Sequence, residues 1–270
     1  MEDILDIITQ YQALNLHNVI DYDKFNQFSI VHHSTVIEGS TLTENETRLL
    51  LDEGLTPKGK PLIHSLMVKD HYQALQFILQ QAKPPGPLTT IFIQQINAAV
   101  MKNTGNLYNT ALGDVDASKG EFRKGNVSAG GSYFVNFDKV PAYTNKLVLS
   151  LTEKMEEKLS IIDKVNLSFS AHFDLVTIHP FYDGNGRTSR LLMNYIQAVY
   201  GLPLAIVFKE DKADYYTALQ EARKQENLNP FYIFMYGQYS KHLVNEITSY
   251  KNALQKNLTG KNGSGFSILF

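Results

Sequence analysis

The chain has 270 residues, 43% of them hydrophobic, with 15 Phe and 15 Tyr, which excludes a largely disordered chain and supplies core for one or two domains. Its 25 basic and 27 acidic residues leave a formal charge of −2, without the basic footprint of sequence-independent nucleic-acid binding, so no nucleic-acid partner is expected. Cysteine is absent, which excludes disulfide scaffolds, zinc ribbons and thiol nucleophiles and leaves His, carboxylates, hydroxyls and Arg to carry any chemistry.

Apolar residues recur at a spacing close to 3.6 along most of the chain, which predicts an all-α, mainly helical fold. The pattern predicts helices near 2–17, 43–53, 64–82, 89–103, 138–159, 163–178, 186–200, 211–226 and 230–256. The start, Met1-Glu2-Asp3-Ile4, is acidic where a secretory signal is basic, and no apolar run approaches the roughly 20 residues that cross a bilayer. A cytoplasmic protein with no membrane partner is expected. Thr43 followed by Glu46 forms a capping-box pattern, and Gly54 stands where a left-handed helix end belongs. Pro84-Pro85-Gly86-Pro87 breaks the helical pattern. Between 120 and 140 the pattern changes: Ser132-Tyr133-Phe134-Val135-Asn136-Phe137 has strand character and is expected to face Arg123–Val127 in an exposed hairpin. The expected organisation is an N-terminal helical region over 1–60, a core over 61–258 and a flexible tail over 259–270, rich in Gly, Ser and Asn.

One stretch stands apart: His179-Pro180-Phe181-Tyr182-Asp183-Gly184-Asn185-Gly186-Arg187-Thr188-Ser189-Arg190, between two apolar-periodic helices. Gly184-Asn185-Gly186 frees the backbone so that successive N–H groups can converge at the start of the second helix, an anion-binding geometry. Arg187 and Arg190, three apart, share a face just beyond it and add two guanidinium forks suited to phosphate oxygens. Asp183 is placed to hold a Mg²⁺ that also takes phosphate oxygens and water. His179, four residues earlier at a helix end, can face the phosphate as a general base for an incoming hydroxyl. Pro180 fixes the exit from the helix and Phe181 anchors the loop to the core. No P-loop, His-Glu-x-x-His zinc helix or Gly-x-Ser-x-Gly elbow occurs. His32, His33, His64, His71 and His172 lack metal-ligand spacing and are expected to be capping or core residues, and Tyr232, Phe234, Tyr236 and Tyr239 to be helix packing.

His179 to Arg190 resembles the signature of the Fic family, His-x-Phe-x-Asp/Glu-Gly-Asn-Gly-Arg-x-x-Arg, at every specified position. Gly120-Glu121-Phe122-Arg123, Asp214-Tyr215-Tyr216 and Asn229-Pro230-Phe231 are similar to further family segments, so the resemblance covers most of 60–245. It implies a Fic-fold helical bundle with a small β-hairpin flap, and a protein adenylyltransferase that moves AMP from Mg-ATP to a Tyr, Thr or Ser hydroxyl of a target protein. By the same resemblance His179 is the general base, Asp183 the Mg²⁺ ligand, and Asn185 an α-phosphate contact beside the Gly184 and Gly186 N–H groups. Arg187 and Arg190 then hold the β- and γ-phosphates, and Tyr216 lines the adenine pocket, where some relatives have Asn at the position of Arg223. Gly131, Ser132, Tyr133, Phe134 and Val135 correspond to a flap that docks an extended target segment by strand addition.

Ser34-Thr35-Val36-Ile37-Glu38-Gly39 resembles the family's inhibitory pattern, which implies a short helix ending at Gly39 that aims Glu38 at Arg190 and withholds that guanidinium from the γ-phosphate. The same residues also suit removal of AMP with Glu38 activating water, transfer of another phosphate-containing group, or a non-catalytic ATP-sensing module. A homo-oligomer is compatible with each.

Overall fold

The computed structural model describes residues 3–129 and 131–259. Helices form at α1 (Ile4–Ala13), α2 (Tyr22–Ile37), α3 (Glu44–Asp52), α4 (Leu62–Gln81), α5 (Thr90–Met101), α6 (Val140–Glu156), α7 (Ile161–Ile178), α8 (Asn185–Val199), α9 (Lys212–Gln225) and α10 (Asn229–Thr259). From α3 onward each lies within three residues of its predicted bounds, because cap and break residues mark the ends. Thr43 and Glu46 close the capping box, and Gly54 takes φ 74°. The expected tail lies, from residue 260, outside the described residues. Among the described residues no helix is long and apolar enough to cross a membrane.

The largest departure is α2. A short helix ending at Gly39 is expected, whereas the structure has 16 helical residues with Glu38 as C-cap. His32, His33, Ser34 and Thr35 are buried together on it, so the buried side is polar and its apolar period is interrupted.

α7 and α8 pair antiparallel through the short turn after Ile178 and form the centre of the molecule. On one side they meet α4 and α5, with Leu75, Ile96, Leu175 and Leu191 fully buried in a single cluster that joins residues before and after Pro84–Pro87. On the other side Ile8, Phe169, Met193, Phe231 and Tyr239 form a second cluster with α1 and α10. α8 is buried almost all round. Its first half is polar, and Asn185, Arg187, Thr188, Ser189 and Arg190 are all below a tenth exposed. Buried polar and charged groups require partners, so the start of α8 concentrates groups that must be paired by the protein or by a ligand.

The hairpin register differs from expectation. β3 (Ser128–Ala129) pairs antiparallel with β4 (Ser132–Tyr133), Ser128 opposite Tyr133, and Arg123–Val127 does not pair with it as a strand. The reason is Arg123, whose side chain turns inward and is 2% exposed. A second short hairpin, β1 (Leu107–Tyr108) with β2 (Val115–Asp116), precedes it.

Gly120 holds this connection against α5. It takes φ 66°, and a Cβ there would lie 2.0 Å from the backbone oxygen of Gln94. Gly120→Ala is expected to cost about 3 kcal/mol, combining the left-handed penalty with a backbone clash. A thermal melt should fall by roughly 6 °C.

Candidate active site

His179 follows the last turn of α7 in the left-handed conformation, φ 53° and ψ 58°, which His tolerates better than bulkier residues. The reversal drops Phe181 into the core at 1% exposure, its ring centroid 5.5 Å from that of Phe122. Asn185 then staples the turn: its Nδ2 donates to the Phe181 carbonyl at 2.8 Å and its Oδ1 accepts from the Phe181 N–H at 3.0 Å. The side chain that the resemblance assigns to a phosphate thus holds the loop's shape, leaving its backbone N–H at the first turn of α8. Gly184, at φ 78°, is the N-cap of α8, and a Cβ there would lie 2.7 Å from Asn97 Nδ2. The N–H groups of residues 185–187 have no intrahelical acceptor by helix geometry and converge on one point.

Two residues that sequence reasoning did not single out for a role fix this loop. Asn97, fully buried on α5, donates through Nδ2 to the Asp183 carbonyl at 3.0 Å and the Thr188 hydroxyl at 3.1 Å. A signal was present: Asn97 interrupts the apolar face of Ile93, Ile96 and Val100. Arg123 donates from Nε to the His179 carbonyl at 2.8 Å, from Nη1 to the Gly125 carbonyl at 2.9 Å and from Nη2 to the Val135 carbonyl. One guanidinium therefore joins the His179 turn to both ends of the flap.

The cationic side of the site carries unused donors. Arg187 is 2% exposed, and its Nη2 lies 3.4 Å from Asp183 Oδ1 and 3.2 Å from Met101 Sδ. Its Nε and Nη1 are buried with no hydrogen-bond partner, as is Nη1 of Arg190. Buried guanidinium donors without a protein partner beside a helix N-terminus are suited to anionic oxygen. Asp183 presents a half-exposed carboxylate with one oxygen engaged by the Gly184 N–H at 2.5 Å. No group of three or more potential metal ligands exists among the described residues. A single carboxylate suits Mg²⁺, which takes most of its ligands from phosphate and water.

Glu38 brings a carboxylate to these donors from within the chain. Its Oε1 accepts from Arg190 Nη2 at 2.7 Å and would lie 2.3 Å from a Cβ placed on Gly186. Arg190 also donates from Nε to the Ser34 hydroxyl at 2.9 Å and from Nη2 to the Ser34 carbonyl at 3.0 Å, so it caps the last turn of α2. Burial pushes the Glu38 carboxyl up, but Arg190 and Arg187 pull harder and hold it below the usual range, so it is ionised at neutral pH. Tyr215 supports Arg190 from behind, with its hydroxyl 2.8 Å from His172 Nε2. Tyr216 is 41% exposed and senses the charges of Glu38 and Arg190, placing it at the rim of the same cleft.

The flap closes the other side. Phe134 stacks on the His179 ring with centroids 3.9 Å apart and planes at 15°, while Arg223 lies 5.5 Å from the outer Phe134 ring centroid. Arg223 is itself held by Thr177 Oγ1 at 3.0 Å and the Val176 carbonyl at 3.4 Å. Gly131, at φ 76°, lies in the turn, Ser132 begins β4, Tyr133 is 91% exposed, and Val135 returns to Arg123. Burial lowers the His179 pKa to about 4, with Arg123 and Arg223 adding to the shift and the Val176 carbonyl and Glu38 opposing it. His179 is therefore neutral at pH 7. With its proton on Nδ1, facing the Val176 carbonyl at 3.4 Å, Nε2 holds the lone pair. Phe134→Ala uncovers the ring, favours the charged form and is expected to raise this pKa toward 6.5, which a ring-resonance NMR titration reads.

The five histidines expected to be capping or core residues are so placed: His32, His33, His71 and His172 are buried, and His64 Nδ1 accepts from the Thr41 N–H.

Residues 87–197 match the profile of the Fic/DOC family. The chain is 33% identical over 214 residues to the "Protein adenylyltransferase Fic" of Drosophila erecta, an alignment covering 77% of this chain and 39% of that protein. The chain thus spans about two-fifths of the length of the curated relatives it matches. Its fold superposes on a Fic domain containing signaling protein from Bacteroides thetaiotaomicron with TM-score 0.78 and 25% identity, covering 92% of this chain and 98% of the other. Fic-1 from C. elegans superposes with TM-score 0.73 and 24% identity, covering 93% and 72% respectively.

Proposed function

The chain belongs to the Fic/DOC family, and from that premise we propose that it is a protein adenylyltransferase that transfers AMP from Mg-ATP to a hydroxyl side chain of a target protein. The observation that carries this reading is the set of three buried guanidinium nitrogens of Arg187 and Arg190, unpaired at the N-terminus of a helix that begins six residues after His179. That provision suits a polyphosphate better than a single phosphate.

In this reading the N–H groups of residues 185–187 hold the α-phosphate region, and Arg187 and Arg190 hold the β- and γ-phosphates. Asp183 contributes the protein's carboxylate to Mg²⁺, which when bound neutralises phosphate charge. The flap lays an extended target segment along the open edge of β4, bringing its hydroxyl to His179. Nε2 of His179 removes the hydroxyl proton while the oxygen attacks the α-phosphorus. The bond to the bridging oxygen breaks, and pyrophosphate leaves with the charge that Arg187 and Arg190 stabilise. Preorganised donors of this kind are each worth on the order of 2.7–4 kcal/mol.

Glu38 restrains the reaction by occupying Arg190 Nη2 and the position beside Gly186. A second reading follows from the same carboxylate, which is ionised and lies in one cleft with His179: it activates water to release AMP from a modified protein. Intact-mass measurement after incubation with Mg-ATP tests the first reading, with one added AMP expected on acceptor protein for Glu38→Gly and none for Glu38→Gly/His179→Ala. No mass gain in the single variant with any acceptor, including the chain itself, overturns it. Incubation with a pre-adenylylated protein tests the second.

A further inference from the structure

A second cavity, of about 300 Å³, opens between α6 and α7 beside the flap. Leu147 and Leu151 from α6, Leu167 and Ile178 from α7, and Val135 at the end of the flap give it apolar walls. Ile178 immediately precedes His179, and Val135 immediately follows the Phe134 that stacks on it. The cavity is thus the next recess along the path of a segment paired with the flap. Successive same-face side chains on an extended segment are about 7 Å apart, so the next side chain on the face that meets His179 is two positions along the segment.

One acid stands in these walls. Asp174 is partly buried and, among the described residues, makes no hydrogen bond or ion pair. Burial pushes its carboxyl up to about 6, and Lys154 on α6 pulls it back only in part. Lys146 and Lys154 line the cavity from α6, and the nearby Tyr232 hydroxyl of α10 is taken by Ser170.

These groups restrict what fits. A carboxylate in an apolar recess requires a donor, so a purely hydrocarbon occupant leaves it desolvated and unpaired. An acidic occupant meets it as a like charge. A cationic occupant meets Lys146 and Lys154 in the same lining. A neutral aromatic side chain ending in a single O–H or N–H donor satisfies all three conditions, filling the apolar volume and giving its proton to Asp174.

We propose that the α6–α7 cavity is an anchor subsite for a Tyr or Trp side chain of the target, two positions from the modified hydroxyl, hydrogen-bonded to Asp174. The target segment as source rests on the transfer reading, but the recess and its chemistry do not.

The test uses the full chain with labelled methyl groups, titrated with p-cresol and with toluene, two probes that differ by one hydroxyl. p-Cresol is expected to shift the methyl resonances of Leu147, Leu151, Leu167 and Ile178 and to bind about tenfold more tightly than toluene. Asp174→Leu is expected to abolish that preference, and Ser150→Trp, which fills the recess from α6, to abolish the shifts, keeping the test decisive if the first variant does not fold. Equal binding of the two probes, or a preference that persists in Asp174→Leu, overturns the assignment. Neither measurement requires turnover, so failure of AMP transfer leaves this result standing, and transfer without the p-cresol preference removes only the subsite.

Discussion

Glu38→Gly is expected to raise AMP transfer by about 10- to 150-fold over the parent chain, read as the initial rate of incorporation of labelled AMP. In the parent, Arg190 is committed through Nη2 to the Glu38 carboxylate at 2.7 Å, and that carboxylate crowds the start of α8 beside Gly186. A triphosphate entering the nest loses one charge-assisted donor and meets an ionised carboxylate. Hydrogen bonds to charged groups contribute about 1.5–3 kcal/mol, and 1.36 kcal/mol is tenfold, which gives the expected range. Arg190 does not collapse when Glu38 is removed, because Ser34 still accepts from Nε at 2.9 Å and from Nη2 at 3.0 Å. The guanidinium remains aimed at the nest with one donor newly free. The apo variant should melt below the parent, since a buried cation has lost its partner, and should gain more from added ATP than the parent does. Equal labelling and equal ATP-induced shifts in the two proteins would remove Glu38 from the restraint.

Most of what is local in this site is legible along the chain. The αL turn, Gly184 as N-cap and the two phased arginines are consequences of adjacent residues, so the run from His179 to Arg190 locates the nest and the helix that carries it. Helix ends from Thr43 onward are legible for the same reason. What escapes depends on contacts between distant segments. Arg123 reads as one more basic residue beside glycines, yet its fork closes on a carbonyl 56 positions away, and turning it inward displaces the strand partner that the apolar pattern suggests. Asn97 reaches across 86 and 91 positions to the loop and to α8. The length of α2 is hidden because its buried face carries histidines and hydroxyls whose burial only the neighbouring helices explain. The stack of Arg223, Phe134 and His179 assembles three separate segments, none of which announces the others. Residues proposed for the chemistry from His179 to Arg190 are therefore clustered in sequence, and residues that position them are scattered.

His179→Ala, introduced into the Glu38→Gly chain, is expected to lower AMP transfer by about 10²- to 10⁴-fold, the usual range for loss of a positioned general base. The imidazole is suited to that role by its surroundings: burial and the flanking Arg123 and Arg223 hold its pKa near 4, so at pH 7 nearly every molecule has a free lone pair. The same environment makes it a weak base in the ground state, and its effect comes from position at the moment the hydroxyl becomes acidic. Folding should survive, since the backbone carbonyl of residue 179 still accepts from Arg123 and the N–H still donates to the Leu175 carbonyl at 3.0 Å. Alanine does carry the cost of the left-handed position, about 1–2 kcal/mol, so a modestly lower melting point is expected without loss of the native fold. Nucleotide affinity should stay within a few-fold, because the N–H nest, Arg187 and Arg190 are untouched. A fall in kcat with unchanged ATP affinity therefore separates a base acting on the target hydroxyl from a residue that merely shapes the nest, and a parallel loss of ATP binding would assign His179 to the latter.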